Sequence, residues 1–260
     1  ALAEYVGGTE DGFIDLMNSY AASMGLSNTL FQNSTGLPDG NHFSSAKDLA
    51  TMTSLLINNF PETYSLYKEK YYTFNNIRQP NRNRLLWKDN SSDGVKTGHT
   101  ESAGYCLISS AKRNDMRLIA VVAGAKSDKE RFNDTQRLLE YGFRFYSTQE
   151  VIKKDNALKE VTVWGGKKDL VSLGSENNIK LTLPRTTFKN ITISYDFQNN
   201  LRAPIKEGQN LGTLIIKDGE KILHTENLVS LNDVEAKGFF GRLWASFVLW
   251  FRGLFGLGNA

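Results

Sequence analysis

Apolar residues open the chain at helical spacing. Phe13, Leu16, Met17, Tyr20 and Met24 share one stripe and Gly25 closes the run, so residues 9–26 are predicted helical. Asn, Ser, Gly, Pro and Asp dominate residues 27–44, which predicts a loop. Ser45-Ala46-Lys47-Asp48 resembles a capping box and starts a second helix, with Leu49, Met52, Leu55 and Leu56 as its buried stripe. Pro61 stops that helix or starts the next turn. In front of all this, Ala1–Gly8 reads as the last turns of a helix closed by glycine, with no N-cap before it. The expectation is a chain that begins inside a structural element of a longer protein. The alternative is a processed terminus that happens to start helical.

The apolar period then shortens. Tyr71–Phe74 is a strand candidate, and Val95–Thr97, Tyr105–Ala111 and Met116–Gly124 read as successive antiparallel strands, the last two joined by a turn at Lys112-Arg113-Asn114-Asp115. Ser127-Asp128-Lys129-Glu130 is a second capping box, opening a helix that carries Phe132, Leu138, Leu139 and Phe143. Helices before and after an antiparallel sheet predict an α/β (α+β) domain with segregated layers over residues 1–150. From Val151 to Val234 the pattern is of short β-like runs: Val161–Trp164, Ile179–Leu183, Ile191–Tyr195 and Leu211–Ile216. Gly, Asn and Pro turns separate them, and Asp218-Gly219 is a hairpin signal, so residues 151–234 are predicted to be a small all-β domain. His224 reads as a surface histidine at a strand end, without partner carboxylates nearby.

Residues 235–260 have a third texture. Phe240, Leu243, Trp244, Phe247, Phe251 and Leu254 fall on one helical face, opposite Gly238, Arg242, Ala245, Ser246, Arg252 and Gly253. Arginines interrupt the apolar run well short of the roughly 20 residues that a crossing needs. Aromatics opposite arginine predict an amphipathic helix lying in a membrane interface. Docking of this helix on its own protein is the alternative.

Composition changes little in this picture. The 260 residues suffice for two domains, 40% are hydrophobic, and the net charge is +3. No segment has the basic excess of a nucleic-acid-binding domain, so no nucleic acid partner is expected. Cys106 is the single cysteine, which excludes an internal disulfide and a multi-cysteine zinc site. Flanked by Leu107 and Ile108, it reads as core.

Candidate chemistry concentrates in Asp93-Gly94-Val95-Lys96-Thr97-Gly98-His99-Thr100, followed by Ala103-Gly104-Tyr105-Cys106-Leu107-Ile108. A Lys-Thr-Gly triplet entering a strand is one of three motifs of penicillin-binding proteins and serine β-lactamases. The other two, S-x-x-K with the nucleophilic serine and S-x-N, are read as absent from this chain. Asn81-Arg82-Asn83-Arg84-Leu85-Leu86-Trp87, Arg117–Val122, Thr35-Gly36-Leu37 and Ser44–Ala50 complete a set of long, ordered motifs. With them the whole chain resembles the D-alanyl-D-alanine carboxypeptidases, low-molecular-mass penicillin-binding proteins. The β domain and the tail point to their type-5 and type-6 branch in Gram-negative bacteria.

That resemblance implies a partial penicillin-binding/β-lactamase-like domain and a serine peptidase acting on the peptidoglycan pentapeptide. It also implies inhibition by β-lactams, no cofactor, no metal, and peripheral attachment to the periplasmic face of the inner membrane. Lys96 would favour a neutral S-x-x-K lysine and attract the anionic substrate, while Thr97 would offer its hydroxyl to the substrate carboxylate. Gly98 would let the peptide backbone approach, and the His99 N–H would be one oxyanion donor. Arg131 would help hold the carboxylate with its planar fork, or else serve a surface ion pair. Arg82 would be functional or would tie its loop to the sheet. The tail would anchor through Phe240, Leu243, Trp244, Phe247 and Phe251. Without the serine–lysine pair, the chain by itself is expected not to form an acyl-enzyme. A catalytically inert, membrane-associated cell-wall binding or scaffold protein is the alternative.

Overall fold

The computed structural model describes residues 1–198 and 200–239 and, within the tail, Gly241, Trp244, Phe247, Val248 and Phe251. Phe240 and Leu243 of the expected anchor, with Arg242, Arg252 and Leu254, lie outside the described residues. The chain forms two compact units, Ala1–Phe145 and Tyr146–Ala260. Each is taken by itself.

The first unit opens with helices α1 (Leu2–Gly7) and α2 (Glu10–Ser23). Thr9 caps α2 by accepting from Gly12 N at 3.0 Å. The expected stripe of α2 is not its buried face: only Ala21 is buried, and Leu16 and Tyr20 are exposed. Polar contacts hold this helix instead. Asn18 donates to Phe31 O and accepts from Phe31 N, both at 2.9 Å, which ties α2 to the loop. That loop closes on itself through a bridge between Leu30 and Phe43.

Helix α3 (Ala46–Asn59) shows the same departure. Its expected stripe Leu49, Met52, Leu55 and Leu56 is only half-buried, while Asp48 and Thr53 are buried. Ser45 does cap the helix, accepting from Asp48 N at 3.1 Å. The Asp48 carboxylate, however, turns to the preceding loop and accepts from Asn28 N and Thr29 Oγ1, each at 2.8 Å. Loop order, not helix capping, is what this carboxylate supplies.

Helix α4 (Pro61–Tyr64) leads through a 3₁₀ turn (Ser65–Lys68) to a hairpin of β1 (Tyr71–Phe74) and β2 (Ile77–Pro80). The second strand ends in proline and is missing from the sequence reading. Asn75 and Asn76, both at positive φ, form the two-residue turn such a hairpin requires. A short α5 (Leu85–Lys88) precedes the three-stranded antiparallel sheet β3 (Ser92–Thr100), β4 (Gly104–Arg113) and β5 (Met116–Ala125), in that spatial order. Each of these strands is longer than its apolar run, because ladder pairing continues through polar ends such as Lys112↔Arg117. Helix α6 (Asp128–Phe145) packs on β4 and β5 with Phe132, Leu139 and Phe143 buried, while Leu138 faces solvent. Half of its capping box forms as expected, Glu130 N donating to Ser127 Oγ at 3.1 Å, while the Glu130 carboxylate reaches one residue further back and accepts from Lys126 N at 2.7 Å.

The second unit begins where α6 runs directly into β6 (Tyr146–Ile152). It continues through β7 (Lys159–Trp164), β8 (Leu170–Gly174), β9 (Ile179–Pro184), β10 (Ile191–Phe197), β11 (Leu201–Arg202), β12 (Asn210–Asp218) and β13 (Lys221–Ser230). β6 pairs with β9, and the rest form a six-stranded sheet in the order β10-β12-β13-β8-β7-β11. Its core is one apolar cluster that includes Val171, Leu173, Leu214, Ile216 and Leu228, all at 0% exposure. Burial of each such side chain stabilises the unit by roughly 1.5–3 kcal/mol. His224 departs from expectation: it lies within β13, and its Nε2 is 3.2 Å from Glu226 Oε2. Residues two apart on a strand share a face, so a carboxylate at that spacing is a partner by construction.

Candidate active-site edge

Lys96, Thr97, Gly98 and His99 lie together on β3, an edge strand that pairs only with β4 among the described residues. Their cross-strand partners are Ile108, Leu107, Cys106 and Tyr105 in that order. Thr97 is buried, whereas Lys96, Gly98 and His99 are exposed. The Lys96 ammonium donates to its neighbour's carbonyl, Thr97 O, at 2.6 Å. The His99 ring lies against Tyr105, with centroids 3.9 Å apart. Beyond this pair is an open cleft of about 370 Å³, reaching Gly124 and Lys126.

Arg131 is brought to the same place from α6. Its rim exposure as a surface ion pair is excluded by burial: the residue is 5% exposed. Nη1 donates to Gly98 O at 2.9 Å and to Cys106 O at 3.3 Å, and Nη2 pairs with Asp128 Oδ1. Tyr105 and Phe132 rings flank the guanidinium, each 5.3 Å away. A positive charge is thus fixed directly behind Gly98. Cys106 is half-buried rather than core, its thiol near Ala103 O at 3.5 Å. The reason is the strand period: Leu107 points into the packing, which turns Cys106 the other way.

Several residues that sequence reasoning passed over secure the root of this strand. Asn83, not Arg82, ties the Asn-Arg-Asn loop to the sheet. Its Nδ2 donates to Gly94 O at 2.9 Å, and the same carbonyl accepts from Ser109 Oγ at 3.0 Å. Asn83 N in turn donates to Asn81 Oδ1 at 2.9 Å, while Arg82 between them is exposed. Asp93 accepts from Tyr64 Oη at 2.7 Å and pairs with Arg117 at 2.8 Å. Burial, above all, pushes the Tyr64 hydroxyl well above its ordinary range; Asp93 adds to this, and Ser110 and Arg117 oppose it. Gly94 must be glycine, because a Cβ there would stand 2.7 Å from Tyr64 Oη. The available signals were the Asn-x-Asn spacing and an aspartate three residues before Lys96.

The strings do occur, contrary to expectation: S-x-x-K at Ser44–Lys47, Ser65–Lys68 and Ser109–Lys112, and S-x-N at Ser175–Asn177 and Ser230–Asn232. None has the setting that acyl transfer needs: Ser65 is exposed and donates to Glu62 O at 2.6 Å, while Ser109 and Ser230 are buried and donate to Gly94 O at 3.0 Å and Asn232 O at 2.6 Å. Ser44 and Lys47 are both exposed at the start of α3, and the Ser44 hydroxyl pairs with Thr29 Oγ1 at 2.8 Å. Ser175 is buried in the second unit and donates to Asn177 O at 3.0 Å. In the tail, Trp244, Phe247 and Phe251 are helical and largely exposed, with successive ring centroids 5.9 Å and 6.4 Å apart.

Comparison with known proteins identifies the family. Residues 1–127 match the D-alanyl-D-alanine carboxypeptidase family, and residues 146–236 match the C-terminal domain of penicillin-binding protein 5. The chain is 46% identical over 258 residues to D-alanyl-D-alanine carboxypeptidase DacC of Escherichia coli K12, covering 98% of this chain and 64% of the relative. The fold is similar to penicillin-binding protein 5 of Haemophilus influenzae, with a TM-score of 0.76 and 38% identity over 90% of this chain and 69% of that one. It is also similar to penicillin-binding protein D2 of Listeria monocytogenes in its cefotaxime-bound form, with a TM-score of 0.50 and 36% identity over 54% of this chain and 60% of that one. The chain therefore spans about two thirds of such proteins, and it belongs to the D-alanyl-D-alanine carboxypeptidase family of low-molecular-mass penicillin-binding proteins.

Proposed function

We propose that the protein is a serine-type D-Ala-D-Ala carboxypeptidase that removes the terminal D-alanine from peptidoglycan stem peptides. A serine oxygen–acyl bond forms as the D-Ala–D-Ala amide bond breaks, the serine proton passes to the leaving amine, and water then hydrolyses the ester. β-Lactams acylate the same serine, in line with the cefotaxime-bound relative. In this reading residues 1–150 are the C-terminal part of the catalytic domain, residues 151–234 a β domain, and residues 235–260 an interfacial helix.

The observation that carries the reading is Gly98. A Cβ there would meet only Cys106 Cβ, at an ordinary 3.8 Å, and its φ is not positive. Nothing inside the protein requires glycine at this position. An extended ligand lying against the edge of β3 does require it, because a side chain would hold the ligand's backbone off the strand. The neighbouring groups suit such a ligand. Lys96 supplies an exposed cation, the Thr97 hydroxyl suits the terminal carboxylate, and the His99 N–H serves as an oxyanion donor. The Arg131 charge lies behind the strand, where little water screens it.

Fluorescent penicillin tests the reading. The full-length protein should give one covalent band on a denaturing gel, competed by excess β-lactam, and should release D-alanine from a pentapeptide. The 260-residue chain alone should stay unlabelled. Absence of both activities from the full-length protein would return it to the scaffold alternative.

The tail reading places the protein at the periplasmic face of the inner membrane as a peripheral protein. Among the described residues no helix is long and apolar enough to cross a membrane. The exposed aromatics of the tail suit the interface instead. Two arginines and one lysine against one glutamate add only about 1 kcal/mol per basic residue at an anionic surface. In liposome flotation, replacing Trp244, Phe247 and Phe251 by Ser should therefore release more protein than replacing Arg242 and Arg252 by Gln. The reverse order would remove the interfacial-helix reading.

A further inference from the structure

Lys96 sits midway between two pinned carbonyls. Two residues before it, Gly94 O accepts from Asn83 Nδ2 at 2.9 Å and Ser109 Oγ at 3.0 Å. Two residues after it, Gly98 O accepts from Arg131 Nη1 at 2.9 Å. Between these points the Lys96 side chain bonds, among the described residues, only to Thr97 O, its own neighbour on the strand. No other element holds its ammonium, so the place of that charge follows the place of the strand: its ladder pairing with Ile108 and the two pins.

The pins differ in origin. Ser109 belongs to β4, which already holds β3 through the ladder. Asn83 reaches β3 from outside the sheet and adds a second donor to the same carbonyl, that of Gly94. It is 1% exposed, and its groups are committed: Oδ1 accepts from Leu85 N at 3.2 Å, and its N–H goes to Asn81 Oδ1. Asn81 Nδ2 in turn donates to Glu69 O at 3.0 Å, so the pin is anchored two loops back. The side chain of the preceding residue, Asp93, is held separately by Tyr64 and Arg117. A strand with a ladder partner on one side only would otherwise shift by fractions of an ångström. Shifts of that order are costly to a charge that acts through geometry.

We propose that Asn83 is a positioning residue for Lys96: by holding β3 at Gly94 O, it fixes where the lysine stands during acylation. The inference rests on the carboxypeptidase reading above. It concerns the chemical step rather than ligand capture, so it separates kcat from KM.

The test uses the full-length protein. Asn83→Leu keeps the volume and removes the donor; kcat for D-alanine release should fall about tenfold with KM within about threefold, since one aimed hydrogen-bonding group is lost from the support of a charge. Asn83→Asp should act as the rescue. Protonated, its hydroxyl can donate to Gly94 O; ionised, it cannot, so kcat should recover at low pH and fall again as pH rises, a limb absent from wild type. Met116→Ala, at the distant β4–β5 turn, controls for stability alone: its melting temperature should drop with kcat within about twofold of wild type. The proposal is overturned if Asn83→Leu keeps kcat within threefold, or if Met116→Ala loses as much kcat for the same drop in melting temperature. Should Asn83→Leu not fold, a pH profile of Asn83→Asp parallel to wild type overturns it. A wild-type protein that takes no penicillin label sinks the functional reading instead, and the two failures are thereby distinct.

Discussion

The two units differ in how many polar groups they bury beside their apolar cores. Among the described residues, nine buried polar side chains lie in the first unit, including Asn83, Thr97, Ser109 and Arg131, against two, Ser175 and Ser230, in the second. Buried hydrophobic residues, again among the described residues, are about as many in both, fourteen in the first unit and twelve in the second, where eleven of them form one cluster. Apolar burial is strong but has no direction. Hydrogen bonds among buried groups contribute less net stability each, but they fix atoms in place and penalise any other arrangement. The first unit is therefore built to hold particular atoms at the edge of β3. The second is built to hold itself together.

The comparison breaks most visibly where the apolar cluster is opened. Leu173, at 0% exposure, lies at the centre of the second unit's core. Leu173→Ala should cost about 2–5 kcal/mol, the range for emptying a well-packed leucine site. Denaturant melts would read this in the full-length protein, and penicillin labelling of the folded fraction should stay within about twofold of wild type. Labelling lost while that fraction remains folded would mean that the second unit takes part in the chemistry. Lys96→Ala should behave in the opposite way. Acylation by β-lactam and peptide should both fall by a factor of order 10² or more, about 2.7 kcal/mol at the barrier, with little change in melting. Second-order acylation rates within about threefold of wild type would make Lys96 structural.

This difference also explains what was legible in the sequence. The second unit could be read from alternation and turns because apolar burial leaves a pattern along the chain. Even so, β8 at Leu170–Gly174 was missed, being five residues with glycine at the end. In the first unit the apolar pattern misled: the stripes of α2 and α3 stand half-open, and buried Asp48 breaks the expected face. The Lys96–His99 motif was visible because its chemistry is contiguous. The groups that hold it were not, because Asn83, Tyr64 and Arg117 meet β3 only in the fold, across separations of 11 to 29 residues. A hydrogen bond between distant residues leaves no period. It leaves at most a short signature, such as the spacing of Asn81 and Asn83.

The smallest effect sharpens the comparison through pH. Asp89 stands just before β3, with its side chain 16% exposed. Partial burial pushes its carboxyl up, but this is outweighed by the hydrogen bonds from Ser91 Oγ and N, at 2.6 Å and 2.9 Å, and by Arg113 at 2.9 Å. The folded protein thus holds this carboxyl below the ordinary range of about 3.9. With the folded value depressed, the native state binds fewer protons than the unfolded chain in that window. Its stabilisation is present above about pH 4 and is lost as pH falls through the folded value. Asp89→Asn should cost about 1 kcal/mol at neutral pH and make the acid limb of the stability profile shallower. Glu235 in the second unit is also held low, by its hydrogen bond and charge pairing with Lys167. That pair is exposed, with side chains 72% and 64% accessible. Salt at about 0.5 M should erase the Glu235 effect, since the Debye length is then only a few ångströms, and should leave most of the Asp89 effect. Urea melts across the acid range with and without salt would decide. If the two carboxylates responded alike, the polar root of β3 would be as open to solvent as a surface pair, and Asp89 could not be part of what holds that strand in place.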